Sequence, residues 1–75
     1  MSMKTHKAIA KLIETLGGQT PAARALGVSA PTVNGWVSGK HGISPLVAMR
    51  AERVTGGKVA AVDLCPAIRA EMPAA

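Results

Sequence analysis

Aromatic residues are almost absent from this sequence, since Trp36 is the only one and there is no Tyr or Phe. The chain has 75 residues and is 48% hydrophobic, so its core has to be built from Ala, Val, Leu, Ile and Met side chains. Alanine is the best helix former, and a chain of this length makes one domain with a marginal core. We therefore predict a single all-α domain, with Trp36 in its core rather than stacked on a nucleic-acid base.

Cysteine and long apolar runs are also scarce. Cys65 is the single cysteine, which excludes an internal disulfide and is typical of a reducing compartment. No run approaches the roughly 18 apolar residues of a membrane span. The first residues, MSMKTHK, lack the apolar core of a signal peptide. We therefore expect a cytoplasmic protein with no membrane partner.

Carboxylates are few, with four Asp and Glu against nine Lys and Arg, and the net charge is +5. The carboxylates are too dispersed to form an acid/base pair, and we expect Glu52 to pair with Arg24 or Arg53. A small domain this basic is expected to seek a polyanion.

Metal-binding and catalytic patterns are missing from the sequence. His6, His41 and Cys65 are far apart along the chain, which argues against a metal site. Cys65 has no neighbouring base and is expected to be a half-buried structural thiol. There is no glycine-rich phosphate loop. We therefore expect no metal, no cofactor and no enzymatic activity.

Helical periodicity and glycine pairs divide the chain into four to five helices. The predicted helices cover residues 3–16, 21–26, 30–37, 45–55 and, as one further turn, 60–64. Residues 1–66 form the predicted domain. Residues 67–75, bounded by prolines, form a short and partly disordered C-terminal tail.

Helix start signals and core positions follow from the same pattern. Thr20 precedes Pro21 and is predicted to cap the second helix, while Ser29 is predicted to cap the third. Ser44 precedes a proline in the same way and is predicted to start the fourth helix. In that fourth helix we expect the larger apolar residues in the core and the arginines exposed; these are Leu46, Met49 and Val54, then Arg50 and Arg53.

The stretch from residue 19 to residue 38 has the pattern of a helix-turn-helix. Gly27 occupies the turn, Ala23 lies four residues before it, and Val33 and Trp36 lie six and nine residues after it. This spacing leaves the second helix free to enter a DNA groove. The alternative is an ordinary hairpin of two helices, but the Ser29 cap and the basic loop that follows favour the helix-turn-helix.

DNA-contacting residues are predicted from their place in this motif. The first residues of the third helix would meet base edges in the major groove, and Asn34 can bind adenine through two hydrogen bonds. The predicted base-contacting residues are Ser29, Ala30, Pro31, Thr32 and Asn34. Residues at the start of the second helix and after the third would contact phosphates. These are Gln19, Thr20, Ser38, Lys40 and His41.

Three runs of this sequence resemble the YdaS-type prophage regulators, within the lambda repressor-like, Cro-type helix-turn-helix group. They are AARALGVSAPTVNGWVSGKHGISP, MRAERVTGGKV and DLCP, and they span roughly residues 8–66. The more specific parts are LGVS in the turn and Thr55-Gly56-Gly57. The resemblance implies a four-to-five-helix lambda repressor-like domain and a Cro-like repressor of prophage or mobile-element origin. It also implies a homodimer that binds a palindromic operator in double-stranded DNA at the nucleoid.

The resemblance places seven residues at the DNA: Gln19, Ser29, Ala30, Pro31, Thr32, Asn34 and Lys40. The sequence departs from the family pattern at Cys65, where a basic residue is common, and at Ala60, where a polar cap of the last helix is usual. Both departures affect the last helix and any dimer contact that it makes.

A protein-binding module is the alternative function. Some relatives are described as antitoxins, and such a module would neutralise a toxin partner and use DNA binding for autoregulation. The apolar segment from residue 59 to residue 72 favours this alternative, since the sequence predicts that it is poorly anchored.

Overall fold

The computed structural model describes residues 3–68, which contain five helices and no strand. The helices are α1 (Met3–Leu16), α2 (Gln19–Leu26), α3 (Ala30–Val37), α4 (Pro45–Val54) and α5 (Ala61–Leu64). The predicted all-α class is confirmed. None of the helices in these residues combines the length and the apolar character needed to cross a membrane.

The predicted start of α2 is wrong. The helix begins at Gln19, and its N-cap is Gly18, which makes no side-chain cap. The Ala22 N–H donates to the Gly18 carbonyl oxygen at 3.0 Å, so Thr20 already lies inside the first turn. Pro21 is tolerated there because the amides of a first turn have no acceptor within their own helix. Gly18, at φ 126°, links α1 to α2 and is itself the N-cap residue of α2. The Thr20 side chain therefore does not cap this helix.

The predicted starts of α3 and α4 are confirmed. The Thr32 N–H donates to the Ser29 Oγ at 3.3 Å, and the Val47 N–H donates to the Ser44 Oγ at 3.4 Å. In each case a proline occupies the first turn, where its missing N–H costs no hydrogen bond. Local capping therefore fixes where these two helices begin.

The core lies where α1, α2 and α3 meet, with α5 closing it against α1. Its largest fully buried side chains are Trp36, Leu12, Leu26, Leu64 and Val33. The prediction that Trp36 is a core residue is confirmed, because only 2% of its surface is exposed. A single tryptophan surrounded by aliphatic side chains therefore takes the centre of a core that has no other aromatic residue.

The predicted core face of α4 is wrong. Leu46, Met49 and Val54 are 66%, 49% and 43% exposed, whereas Ala48 and Ala51 are fully buried. The helix packs against α2 and α5 through these alanines, whose small side chains allow a close approach of the helices. The larger apolar residues of α4 therefore face away from the core. Apolar residues lie on both faces of this helix, so hydrophobic periodicity alone does not show which face is buried.

The segment after α4 is anchored by side-chain hydrogen bonds. The Ala61 N–H donates to Glu52 Oε1 at 3.0 Å, so a carboxylate from α4 caps α5. This bond compensates for Ala60, which is the N-cap residue of α5 and offers no side-chain cap. The Thr55 hydroxyl donates to the Ala51 carbonyl oxygen at 2.8 Å and accepts from the Val59 N–H. Glu52 thus has a backbone partner, whereas the sequence predicts an arginine.

Most apolar side chains from residue 59 to residue 68 belong to the core, which corrects the expectation that this segment is poorly anchored. The buried ones are Val59, Ala61, Leu64, Cys65 and Ile68. Cys65 is a free, buried thiol, more enclosed than predicted. Ile68 lies two residues beyond the predicted domain boundary at residue 66. The rest of the predicted tail, residues 69–75, lies outside the described residues.

Candidate nucleic-acid interface

An open cleft of about 490 Å³ lies where the start of α2, the exposed side of α3 and the loop after α3 come together. Three segments that are separate in sequence contribute its walls. The lining residues are Gln19, Ala30, Pro31, Asn34, Gly35, Lys40 and His41. Six of these seven residues are predicted from the sequence to contact DNA. Gly35 lines the cleft but is not among the predicted contacts.

The first residues of both helices of the motif line this cleft. Gln19 is the first residue of α2 and Ala30 is the first residue of α3. A helix N-terminus carries unpaired backbone N–H groups and a partial positive charge. Lys40 adds a full positive charge, and no carboxylate is among the lining residues. The cleft is therefore suited to an anion such as a backbone phosphate.

The turn between α2 and α3 sets their relative orientation. Gly27 adopts the left-handed conformation at φ 68°, and its N–H donates to the Arg24 carbonyl oxygen at 3.3 Å. The Val28 N–H then donates to the Ala23 carbonyl oxygen at 3.0 Å. A residue with a Cβ is strained in this conformation, so glycine is favoured in the turn. Val33 and Trp36 bury the other side of α3, which leaves Asn34 exposed beside the cleft.

The remaining predicted contact residues lie outside the cleft lining. The Ser29 and Thr32 hydroxyl oxygens are 2.7 Å apart and share a hydrogen bond at the start of α3. The Ser38 hydroxyl donates to the Gly35 carbonyl oxygen at 3.3 Å, at the end of the same helix. Thr20 is exposed in the first turn of α2. The hydroxyls of Ser29, Thr32 and Ser38 therefore stabilise the ends of α3.

Gly35 is a functional candidate that sequence reasoning missed. A Cβ added to Gly35 would overlap the imidazole of His41, so the ring occupies the space that a side chain would take. The Gly35 carbonyl oxygen also accepts from the Lys40 N–H at 2.9 Å, which folds the loop back over the helix. Gly35 consequently places Lys40 and His41 at the cleft.

One signal in the sequence could have indicated this role. Glycine inside a helix costs about 1 kcal/mol relative to alanine. Gly35 is the sixth residue of an eight-residue helix, and that cost has to be offset by something that the absent side chain allows. The close approach of the His41 ring is such a reason. The sequence alone does not show that His41 is the neighbour, because this depends on how the loop folds.

Within residues 3–68, no group of three or more His, Cys, Asp and Glu side chains lies close enough to hold a metal ion. Glu52, which caps α5, and Asp63, which lies within α5, are not among the residues that line the cleft. The chemistry available at the cleft is therefore hydrogen bonding and positive charge.

Comparison with known proteins places these features in a family. The family model described as bacterial toxin YdaS matches residues 9–73. The regulatory protein cro of Pseudomonas phage D3 is 53% identical over 57 residues, which cover 76% of this chain and 78% of that protein. The YdaS protein of Escherichia coli (strain K12), named as a candidate transcriptional regulator, is 42% identical over 53 residues. Those residues cover 71% of this chain and 54% of that relative.

No solved structure matches the chain. The family match nevertheless extends over most of the sequence, including α2, α3 and the turn between them. The predicted resemblance is confirmed, and the chain belongs to the YdaS family.

Proposed function

We propose that this chain is a transcriptional regulator, a Cro-like repressor that binds double-stranded DNA with α3 in the major groove. The observation that carries the proposal is that the first residues of α2 and α3 line one open cleft together with Asn34, Lys40 and His41, and that no carboxylate is among its lining residues. The name of the phage D3 relative, regulatory protein cro, supports the same function. Such a protein would act at the nucleoid in the cytoplasm. Neither relative's name describes an enzyme, and the proposed activity is binding alone.

Base recognition would be centred on the cleft side of α3. The Asn34 amide can donate to and accept from one adenine, which discriminates against other bases by about 1–3 kcal/mol. Ala30 and Pro31, exposed at the first turn of α3, can contact a thymine methyl group. Ser29 and Thr32 share one hydrogen bond and keep further capacity, so we propose them as secondary base contacts.

Phosphate recognition would surround the reading residues. Gln19 lies at the N-terminus of α2, where backbone amides and the helix dipole attract one phosphate. Lys40 and His41, which line the same cleft, would contact the backbone from the loop after α3. Thr20 and Ser38 are exposed next to these two groups and would add weaker contacts.

Selection from a pool of randomised duplexes, followed by gel-shift titration, tests the proposal. Asn34→Ala should lose preference for the selected sequence by about 1–3 kcal/mol. Lys40→Ala should weaken all duplexes alike and lower the slope of log affinity against log salt by about 0.9. Lys58→Ala removes the same charge from an exposed position outside the cleft and should change binding little. Unchanged affinity and preference in Asn34→Ala would contradict the assignment of α3 as the reading helix.

We also propose that the regulator binds a palindromic operator as a homodimer, through the exposed face of α4. Leu46 and Met49 are exposed and one turn apart, and Met49 borders a shallow hollow with Glu52, Arg53 and the Gly56-Gly57 pair. This face carries two exposed apolar side chains, a shallow hollow and charges of both signs. In a two-fold contact the same patch meets itself, so Met49 would enter the partner's hollow and the opposite charges would meet.

Sedimentation velocity over a range of concentrations tests the dimer. Leu46→Glu should shift the wild-type dimer toward monomer, because a carboxylate would be buried against an apolar surface. Val37→Glu is the matched control, since Val37 is also exposed and apolar but lies at the end of α3. A wild-type chain that stays monomeric both free and on a palindromic duplex would contradict this part of the proposal.

A protein-binding module of the toxin–antitoxin type is the second candidate, favoured by the description of the matching family as bacterial toxin YdaS. Leu64 and Ile68 are packed into the core, so the segment from residue 64 to residue 68 is not free to bind such a partner. Expression with and without residues 69–75, followed by growth assays and pull-down of the neighbouring genes' products, tests this candidate. Capture of a neighbouring gene's product that persists in Asn34→Ala and Lys40→Ala would favour it over DNA regulation.

A further inference from the structure

We infer that α3 reads A·T base pairs, through the major-groove edge of adenine and the methyl group of thymine, and does not read G·C pairs. The inference rests on the proposed function and names the class of base pair that the same cleft selects. α3 has the sequence APTVNGWV and carries no charged side chain. Guanine is commonly bound by arginine or lysine, and cytosine donates to carboxylates. The helix therefore lacks the side chains that are typical of G·C recognition.

The polar side chains that α2 and α3 contribute to the cleft are both amides, Gln19 and Asn34. Asn34 is exposed, and no hydrogen bond within the described residues occupies its side chain. A side-chain amide donates to N7 of adenine and accepts from the N6 amino group, and no other single base offers this combination in the major groove. Asn34 is therefore suited to adenine, and a methyl group on N6 would take the place of the hydrogen that it accepts.

Apolar groups form the first turn of α3 on the same side. Ala30 and Pro31 line the cleft, and both are exposed. An apolar side chain in the major groove favours thymine, because the C5 methyl group of thymine is the apolar group that base edges present there. Pro31 has no backbone N–H that could donate to a guanine oxygen or nitrogen. The first turn of α3 therefore favours a thymine beside it.

The hydroxyls at the start of α3 do not alter this preference. The Ser29 Oγ accepts from the Thr32 N–H and shares a hydrogen bond of 2.7 Å with the Thr32 hydroxyl. One of the two hydroxyl hydrogens is thus used within the pair. A hydroxyl can bind donors and acceptors alike, so the pair adds affinity without selecting one base.

The length of the reading surface corresponds to neighbouring base pairs. Ala30 and Asn34 are four residues apart in α3, which separates them by about 6 Å along the helix axis. Successive base pairs are about 3.4 Å apart. A helix that lies along the groove therefore brings the two side chains to base pairs about two steps apart. Beyond Asn34 the imidazole of His41 covers Gly35, so the reading surface on this side of α3 ends there.

Fluorescence anisotropy with the full chain and base analogues in the selected duplex tests the inference. An inosine·cytosine pair has the major-groove edge of G·C and the minor-groove edge of A·T, and a diaminopurine·thymine pair has the reverse. Each replaces the A·T pairs of the half-site in turn. At the pair that Asn34 contacts, inosine·cytosine should weaken wild-type binding about 5- to 150-fold, and diaminopurine·thymine should leave it unchanged. N6-methyladenine should weaken binding at the same pair.

Two variants assign these effects to side chains. Asn34→Ala should lose the response to inosine·cytosine and to N6-methyladenine at that pair. Uracil in place of thymine removes only the methyl group and should weaken wild-type binding about fourfold at the pair beside Ala30. Ala30→Gly should reduce this loss. Lys58→Ala, at an exposed position outside the cleft, should keep every wild-type response, and emission of Trp36 verifies that each variant is folded.

Three results would overturn the inference while leaving the proposed function intact. The first is tolerance of inosine·cytosine at every A·T pair, which would assign recognition to the minor groove or to DNA shape. The second is a response to inosine·cytosine that persists unchanged in Asn34→Ala. The third is a selected half-site of G·C pairs, and a preference lost in Lys40→Ala would then assign base reading to the loop. Absence of binding to any duplex would instead overturn the proposed function itself, and the inference with it.

Discussion

Arg50 of α4 donates a hydrogen bond from Nη1 to the carbonyl oxygen of Leu26, the last residue of α2, at 2.8 Å. The last carbonyls of a helix have no partner within the helix and form the negative end of its dipole. The same Nη1 lies 3.1 Å from the position that a Cβ on Gly27 would occupy. Arg50 therefore fastens α4 to the turn of the helix-turn-helix.

Removal of this bond is predicted to destabilise the domain. Arg50→Ala leaves the Leu26 carbonyl oxygen without its charged donor, and the bond is partly buried, so we expect a loss of about 1–2 kcal/mol. For a domain of this size the melting temperature should fall by roughly 4–8 °C per kcal/mol. Thermal unfolding followed by Trp36 emission measures this change, with Lys58→Ala as a control of equal charge. Equal melting temperatures of the two variants would show that the bond contributes nothing.

The carboxylate cap of α5 gives a second prediction. Glu52→Ala leaves the Ala61 N–H without an acceptor and should lower the free energy of unfolding by about 1–3 kcal/mol. Glu52→Gln keeps a carbonyl oxygen at the same place and should restore most of the loss. Urea titration measures both variants, and amide exchange at Ala61 locates the effect. Glu14→Ala, which removes an exposed carboxylate of α1, is the control. If the Gln variant were as unstable as the Ala variant, charge rather than the hydrogen bond would be responsible.

The N-cap of the reading helix gives a third prediction. Ser29→Ala removes the acceptor of the Thr32 N–H and should destabilise the domain by about 1 kcal/mol. Ser29→Gly is expected to cost only a few tenths of a kcal/mol, since glycine is tolerated at this position. Chemical denaturation at constant pH compares the two variants with Ser44→Ala, which removes the equivalent cap of α4. A larger loss in Ser29→Gly than in Ser29→Ala would contradict this account of the cap.

Gly35→Ala should separate stability from binding. Alanine at an interior helix position gains up to about 1 kcal/mol over glycine. The added Cβ collides with the exposed ring of His41, which can move away, so the melting temperature should stay equal or rise. DNA affinity should fall, because the ring leaves its place at the cleft. Calorimetry and anisotropy on the same sample check both halves of the prediction. Unchanged affinity would show that the position of the ring is unimportant.

The helices were largely predictable because their ends are coded locally. Ser29 and Ser44 each act through their own side chain on an amide three residues away, and the fold confirms both starts. The start of α2 was not predictable in the same way. Gly18, with a backbone conformation that the pattern does not specify, begins the helix before Thr20 can cap it.

The core of α4 shows a different limit of the sequence. Large apolar residues were expected inside, but Ala48 and Ala51 face the core while Leu46 and Met49 are exposed. A hydrophobicity pattern favours large apolar residues as core positions. Close packing of α4 against α2 and α5 instead requires small side chains at the contact. The same close packing places Arg50 beside Leu26, a contact between residues 24 positions apart.

The sequence by itself determined the all-α class, the helix-turn-helix with Gly27 in its turn, and the choice of Asn34 and Lys40 as candidate DNA contacts. These follow from local spacing, capping and charge, which act over a few residues. Only the tertiary structure decided that Gln19, Asn34 and His41 share one cleft, and that Gly35 makes room for the imidazole. That arrangement depends on how α2, α3 and the following loop pack together, and contacts between distant segments are not specified by any local pattern.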